Sequence, residues 1–241
     1  MHLQSLTWTQ AAALDYNDKV CVLPLGSIEQ HGHHLPVVTD TALVDGVARG
    51  LHDAMPDDIL LLPTMWCGHS THHLAFAGTV SLTQSVYQAV IIDLCDSLIK
   101  SGARKILLLN GHGGNDIPVR YALREVKSRH PDPALKVVFA SYWNLASATL
   151  SKVRESETGG MGHACEMETS MMMLLAGELV RRDKIKNDGP AQQPPYRYYD
   201  MQRGTPFYMV EEFHELSESG TVGHPELASK EKGRLFYDGI I

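Results

Sequence analysis

The feature that most constrains this chain is a recurrence of short, almost wholly apolar runs, each followed by a stretch with helical spacing. The runs are residues 19–25 (KVCVLPL), 58–63 (DILLLP), 105–110 (KILLLN) and 136–140 (KVVFA). A strand with one wet face alternates apolar and polar residues; these do not, so both of their faces must be covered. Between them, residues 41–55 place Leu43, Val47 and Leu51 on one helical face, and 84–100 form a long amphipathic pattern closed by Ser101-Gly102. Residues 116–129 read as a helix with Pro118 tolerated in its first turn. Further helices are expected over 166–179 and 225–237. Strands and helices in alternation imply parallel pairing through crossovers. The pattern therefore predicts an α/β chain in three layers, α/β/α, around a mostly parallel central sheet. Ligands are expected beyond the carboxyl ends of the strands. Residues 187–208, rich in Pro, Gly and Tyr, break the pattern and read as a surface loop, with a lid or a subunit contact as alternatives.

A length of 241 residues suits one domain over 1–241, and 44% apolar with 20% charged residues is ordinary globular composition. With 21 basic against 28 acidic side chains the net charge is −7. Nucleic-acid grooves rely on clustered Lys and Arg, so no nucleic-acid partner is expected. No apolar run approaches the roughly 18 residues of a membrane span. The opening MHLQSL lacks the basic start and apolar core of a signal peptide. Four well-separated cysteines without a CxxC pair suit reduced thiols and a cytoplasmic location.

Chemistry concentrates in a few polar segments that follow predicted strands or open a helix. After the first strand come Glu29 and His31, two apart and so on one face of an extended segment, and then Asp40. A Glu, a His and an Asp form an oxygen and nitrogen set suited to Zn²⁺, Mn²⁺ or Fe²⁺, and Asp40 has two oxygens with which to bridge two ions. The same segment also reads as a polar loop with Asp40 capping the next helix. After the third strand, Asn110-Gly111-His112-Gly113-Gly114-Asn115 surrounds a histidine with glycines that permit close backbone approach. It lacks the spacing of a phosphate loop. Further on, His163 precedes a helix with Glu166 and Glu168 in its first turn, which also suits the helix dipole. The following Met171-Met172-Met173 reads as core. In 68–82 (GHSTHHLAFAGTVSL), Ser70 and the histidines 69, 72 and 73 read as pocket wall, not as ligands.

GSIEQHGHHLPVVTD, GHSTHHLAFAGTVSL, NGHGGN and HACEMETS, in that order, resemble the creatininase (creatinine amidohydrolase) family, and GTVGHP near the C-terminus is similar to its closing motif. The resemblance spans about residues 23–233. It implies a dinuclear metal hydrolase on a three-layer α/β/α fold, commonly a homohexamer. By motif position, Glu29 and His112 would hold one ion and His31 the other, with Asp40 bridging. Where creatininase itself has a Glu ligand this chain has Gly114, so the resemblance implies Glu168 as fifth ligand, with Glu166 as second choice. His163 matches the histidine proposed to shuttle a proton. Creatininase clamps its flat substrate with tryptophans; residues 155–162 (ESETGGMG) contain none, which argues against creatinine, although Trp143 could supply one aromatic wall.

The resulting expectation is hydrolysis of a C–N amide bond in a small cyclic-amide or formamide-type molecule. Two divalent ions would activate water, His163 would move the proton, and the backbone amides of Gly113 and Gly114 would steady the developing anion. Ser70, His73 and Trp143 complete the expected substrate pocket. Trimming of a precursor peptide is the alternative within the family, and a metal-binding homologue without turnover is the alternative outside catalysis. A phosphoesterase is discouraged by the shortage of Lys and Arg around the motifs.

Overall fold

The computed structural model describes residues 1–189 and 197–241. Its central sheet comprises β1 (Val20–Leu25), β2 (Ile59–Leu61), β3 (Lys105–Asn110) and β4 (Lys136–Ser141). The spatial order is β2-β1-β3-β4 and every pairing is parallel. The helices in chain order are α1 (Trp8–Ala12), α2 (Thr39–Ala54), α3 (Gln84–Lys100), α4 (Asp116–Arg129) and α5 (Tyr142–Leu145). They continue with α6 (Ser147–Val153), α7 (Glu166–Leu175), α8 (Phe213–Leu216) and α9 (Lys230–Ile240). A small antiparallel pair, β5 (Met161–His163) and β6 (Val222–Gly223), stands apart from the main sheet.

Alternate residues of the strands feed two cores, one on each face of the sheet. Cys21, Leu23 and Leu25, with Ile106 and Leu108, meet Tyr87, Ile91 and Cys95 of α3 and Val119, Ala122 and Val126 of α4. Val22 and Leu109 meet Leu43, Val44 and Val47 of α2, Met167, Met171 and Met172 of α7, and Phe236 of α9. Each buried Val, Leu, Ile, Met or Phe among them contributes about 1.5–3 kcal/mol by leaving water. The sandwich is the three-layer α/β/α arrangement that the doubly apolar strands predict, and the run of methionines is core.

From β1 the chain crosses through α2 to β2 on one side, while β3 lies on the other side of β1. Connections that diverge in this way open a crevice at the carboxyl ends of β1 and β3. There Gly111 N–H donates to Leu25 O at 2.9 Å, keeping the two polar loops side by side.

Several boundaries differ from the expected ones. Helix α2 begins at Thr39, behind Val38 and with no side-chain cap, so Asp40 lies inside the first turn and does not cap the helix. Helix α7 stops at Leu175 because Ala176 leaves the helical region (φ −150°, ψ 50°), and Gly177–Leu179 forms a separate 3₁₀ turn. The last helix starts only at Lys230, where the Ser229 hydroxyl accepts from Lys232 N–H; Pro225–Leu227 is a 3₁₀ turn. Of the loop expected over 187–208, residues 190–196 lie outside the described residues. Among the described residues no helix is long and apolar enough to cross a membrane.

Candidate metal centre

Five segments deliver their side chains into the crevice. Glu29 and His31 come from the loop after β1, Asp40 from the first turn of α2, His112 from the turn after β3, His163 from the end of β5, and Glu168 from the first turn of α7. All six are at most 6% exposed. Asp40 faces two histidines at once: Oδ1 is 3.1 Å from His31 Nε2 and Oδ2 is 3.0 Å from His112 Nδ1. Glu29 Oε2 lies 3.2 Å from the same His112 nitrogen, and Glu168 Oε1 lies 4.0 Å from His31 Nε2. Two groups, Glu29–Asp40–His112 and His31–His163–Glu168, each gather their ligand atoms within 4.8 Å of one another. A third such group is Glu29–His73–His163.

Buried carboxylates and imidazoles need partners. Yet among the described residues His31 Nε2 and Asp40 Oδ2 find no aligned hydrogen-bond partner, although each lies close to an oppositely charged group. Close approach without hydrogen-bond alignment is what a set of lone pairs aimed at a shared cation shows, so the residues fit divalent metal. Electrostatics agree. Burial disfavours charge on Glu29 and Asp40, but the neighbouring histidines outweigh it and hold both carboxyls well below the usual range. Burial likewise opposes charge on His31, while Asp40, Glu168 and Glu29 push it up to about 9. Glu168 is left short of compensation: burial, with Asp40 and Glu29, raises it to about 7 against the pull of His31.

The hydrogen bonds behind these groups select their tautomers. His112 Nε2 is 3.1 Å from both Ser70 Oγ and His69 O, so that nitrogen carries the proton and Nδ1 is left for the centre. His31 Nδ1 donates to Glu29 O at 3.2 Å, leaving Nε2. Gln30 Oε1 accepts from Gly32 N–H at 2.9 Å, which turns its amide nitrogen toward His73 Nδ1 at 2.9 Å and Gly220 O at 3.2 Å. His73 Nδ1 must then accept, and its protonated Nε2 faces Glu29 Oε1 at 3.3 Å. His73 is thereby a donor that aims Glu29. His163 Nε2 donates to Gln30 O at 2.7 Å, so the lone pair of Nδ1 points inward, 3.8 Å from Glu29 Oε1. Burial, with His31 nearby, keeps that imidazole neutral by lowering its pKa well below the usual value. The next residue, Ala164, has φ +49°, the only positive φ of a non-glycine among the described residues. Strain of this kind clusters at functional sites. Here it turns the chain between His163 and the helix that carries Glu168.

The other residues named from the sequence are placed as follows. Glu166 does not join the centre: its carboxylate accepts from Glu155 N–H and Ser156 N–H, each at 2.9 Å, and from Lys232 Nζ at 2.7 Å. Residues two apart on a helix are about 200° apart around its axis, so Glu166 and Glu168 cannot face the same way. Ser70 is fully buried behind His112, hydrogen-bonded to it and to Ser27, and does not line the cavity. His73, Gly113 and Trp143 do line it, together with Met201 and Phe213, around a volume of about 100 Å³. Gly114 lies on the far side, where a Cβ would run into His69 O and His112 Nε2. Of the first histidine cluster only His31 turns inward; His34 Nε2 lies 2.9 Å from Thr169 Oγ1 and ties the loop to α7. Phe213, absent from the sequence reading, stacks on His73 with ring centres 3.9 Å apart and meets His163 edge-on at 4.7 Å.

The Creatininase family model, described as creatinine amidohydrolase, matches residues 4–241. Creatinine amidohydrolase of Pseudomonas putida is 29% identical over 247 aligned positions, covering 97% of this chain and 90% of that protein. A mycofactocin precursor peptide peptidase of Mycobacterium ulcerans is 28% identical over 91% of this chain and 80% of its own length. A solved creatininase variant described as Zn–Zn type superposes with a TM-score of 0.81 at 28% identity, covering 99% of this chain and 93% of that one.

Proposed function

The chain belongs to the creatininase family, whose members are metal-dependent amidohydrolases, and on that premise we propose that it uses two divalent ions to cleave a C–N amide bond in a small cyclic-amide or formamide-type substrate. The observation that carries this reading is the Asp40 carboxylate, which offers one oxygen beside each of two histidines. Glu29, Asp40 and His112 would hold one ion, and His31 and Glu168 the other, with Asp40 common to both. Zn²⁺, Mn²⁺ and Fe²⁺ all suit these donors. Ions there would supply Lewis acidity, polarising the scissile carbonyl and acidifying a water toward neutrality.

The residues of the chain do the rest. His163, neutral and with Nδ1 directed inward, accepts the proton of the attacking water and passes it to the departing nitrogen. Its bond to Gln30 O fixes the ring through both transfers. His73 holds Glu29 in place. Trp143 and Phe213 wall the cavity and keep bulk water away from the reacting atoms. The Gly113 backbone amide is available to the developing anion. Four buried, free cysteines accord with a reducing, cytoplasmic setting, and the family likeness with a homohexamer.

Asp40→Asn tests the reading. Bound metal should fall from about two ions per chain to one or fewer, and amide hydrolysis should disappear. A variant with both ions and full turnover would overturn it. Trimming of a precursor peptide is the second reading, favoured by the peptidase relative. A cavity of about 100 Å³ admits a head group only, so a peptide would need room beyond it.

A further inference from the structure

We propose that the protein carries a second binding subsite beside the metal centre, which takes an uncharged planar substituent attached to the scissile amide. The inference rests on the hydrolase reading above and names the class of substrate for that site. A separate cavity of about 250 Å³ lies on the other side of the Gly111–Gly114 turn. Gly113 borders both this cavity and the metal cavity. A Cβ built on Gly113 would meet no atom of the described residues within 4 Å, whereas at Gly114 it would strike His69 and His112. The turn is therefore closed at Gly114 and open at Gly113. A molecule whose amide sits at the metal centre can extend past that point.

The walls define what would fit. Ile117 and Pro118, in the first turn of α4, supply an apolar side. His72 and Tyr208 supply flat rings, and Gln84 supplies an amide for one hydrogen bond. Among the described residues no Lys or Arg lines the cavity, and the single carboxylate there, Asp116, is already paired with Arg120 at 2.7 Å. The cavity thus offers flat and apolar contacts without a countercharge, which suits an aromatic or heteroaromatic group and not a phosphate or carboxylate.

The test compares formamide with formanilide on zinc-loaded protein, by calorimetric binding and by hydrolysis. Wild type should bind formanilide at least tenfold more tightly than formamide. Gly113→Leu places a side chain in the open passage at a backbone without positive φ, and Ile117→Trp fills the far wall from a half-exposed position. Each should bring the formanilide-to-formamide ratio close to one. Equal binding by wild type, or a tenfold preference that survives both variants, overturns the subsite. If neither amide is hydrolysed but the preference and its loss are seen, the subsite stands and the amidohydrolase reading falls. If both amides turn over with equal kcat/KM and no binding preference, the hydrolase reading stands and the subsite falls.

Discussion

Glu168→Gln should make the metal-free protein more stable and the metal-loaded protein less so. The Glu168 carboxyl is buried beside two other acids, and its pKa is raised from 4.5 to about 7, first by burial and then by Asp40 and Glu29. Each pH unit between the two values is worth about 1.4 kcal/mol, so keeping Glu168 ionised costs about 3 kcal/mol. The sign follows from proton linkage. Between pH 4.5 and 7 the folded chain holds a proton that the unfolded chain has lost, so stability falls as pH rises across that window and stays low above it. Glutamine has no such dependence, and its carbonyl can still accept from Cys165 N–H, which lies 3.3 Å from Oε2. In metal-free samples the variant should gain about 3 kcal/mol at pH 8, or roughly 6–12 °C in Tm, and under about 1 kcal/mol near pH 5. With zinc the order reverses. At free metal a thousandfold above Kd each ion adds about 4.1 kcal/mol, so the one ion that the variant forfeits outweighs its metal-free gain of about 3 kcal/mol at pH 8. Thermal scans at the two pH values, with and without chelator, read all four corners. A variant that retains two ions, or that is less stable than wild type at pH 8 without metal, would refute the placement of Glu168.

Glu166→Gln should behave in the opposite way, because it strips the buried ammonium of Lys232 of its inner partner while Glu155 remains at the rim, 2.8 Å away. A loss of about 3 kcal/mol in denaturant titrations, with metal content unaltered, is expected. Zinc affinity should rise at least tenfold per pH unit up to about pH 9. Burial opposes charge on His31, but its acidic neighbours raise its pKa to about 9, so binding must displace a proton below that pH and need not above it. Competition titrations from pH 6 to 9.5 check the slope, and a flat profile would contradict the assignment of His31 as a ligand.

The sheet was legible because it is written twice over. Residues such as Val22 and Leu23 point to opposite faces, and both are apolar, which is possible only when helices cover both sides. Placement of the polar segments followed from the same rule, since Glu29 comes just after β1 and His112 just after β3. That the β1 and β3 ends are adjacent was not legible. It depends on β3 inserting beside β1 instead of beside β2, a choice made by packing of α3 and α4 across the sheet and by no local signal.

What stayed hidden is what depends on direction at short range. Asp40 as a helix cap and Asp40 as a candidate shared ligand are the same residue type at the same position, and two residues of extra helix at Thr39 remove the cap. Glu166 and Glu168 could have been separated from the sequence by helical geometry alone, because they cannot share a face, but which of them turns inward depends on Lys232, 64 residues beyond Glu168. Phe213 carries no motif; it reaches His73 and His163 only because the chain returns past the metal cavity before β6 pairs with β5. The protonation pattern is the deepest of these layers. The side-chain amide of Gln30 accepts from Gly32 and donates to His73, and its backbone carbonyl accepts from His163, so one residue sets which nitrogen of two histidines carries the proton. Residue types at their spacings name the donors of a metal centre, whereas the order in which those donors hold protons is set by contacts between distant segments.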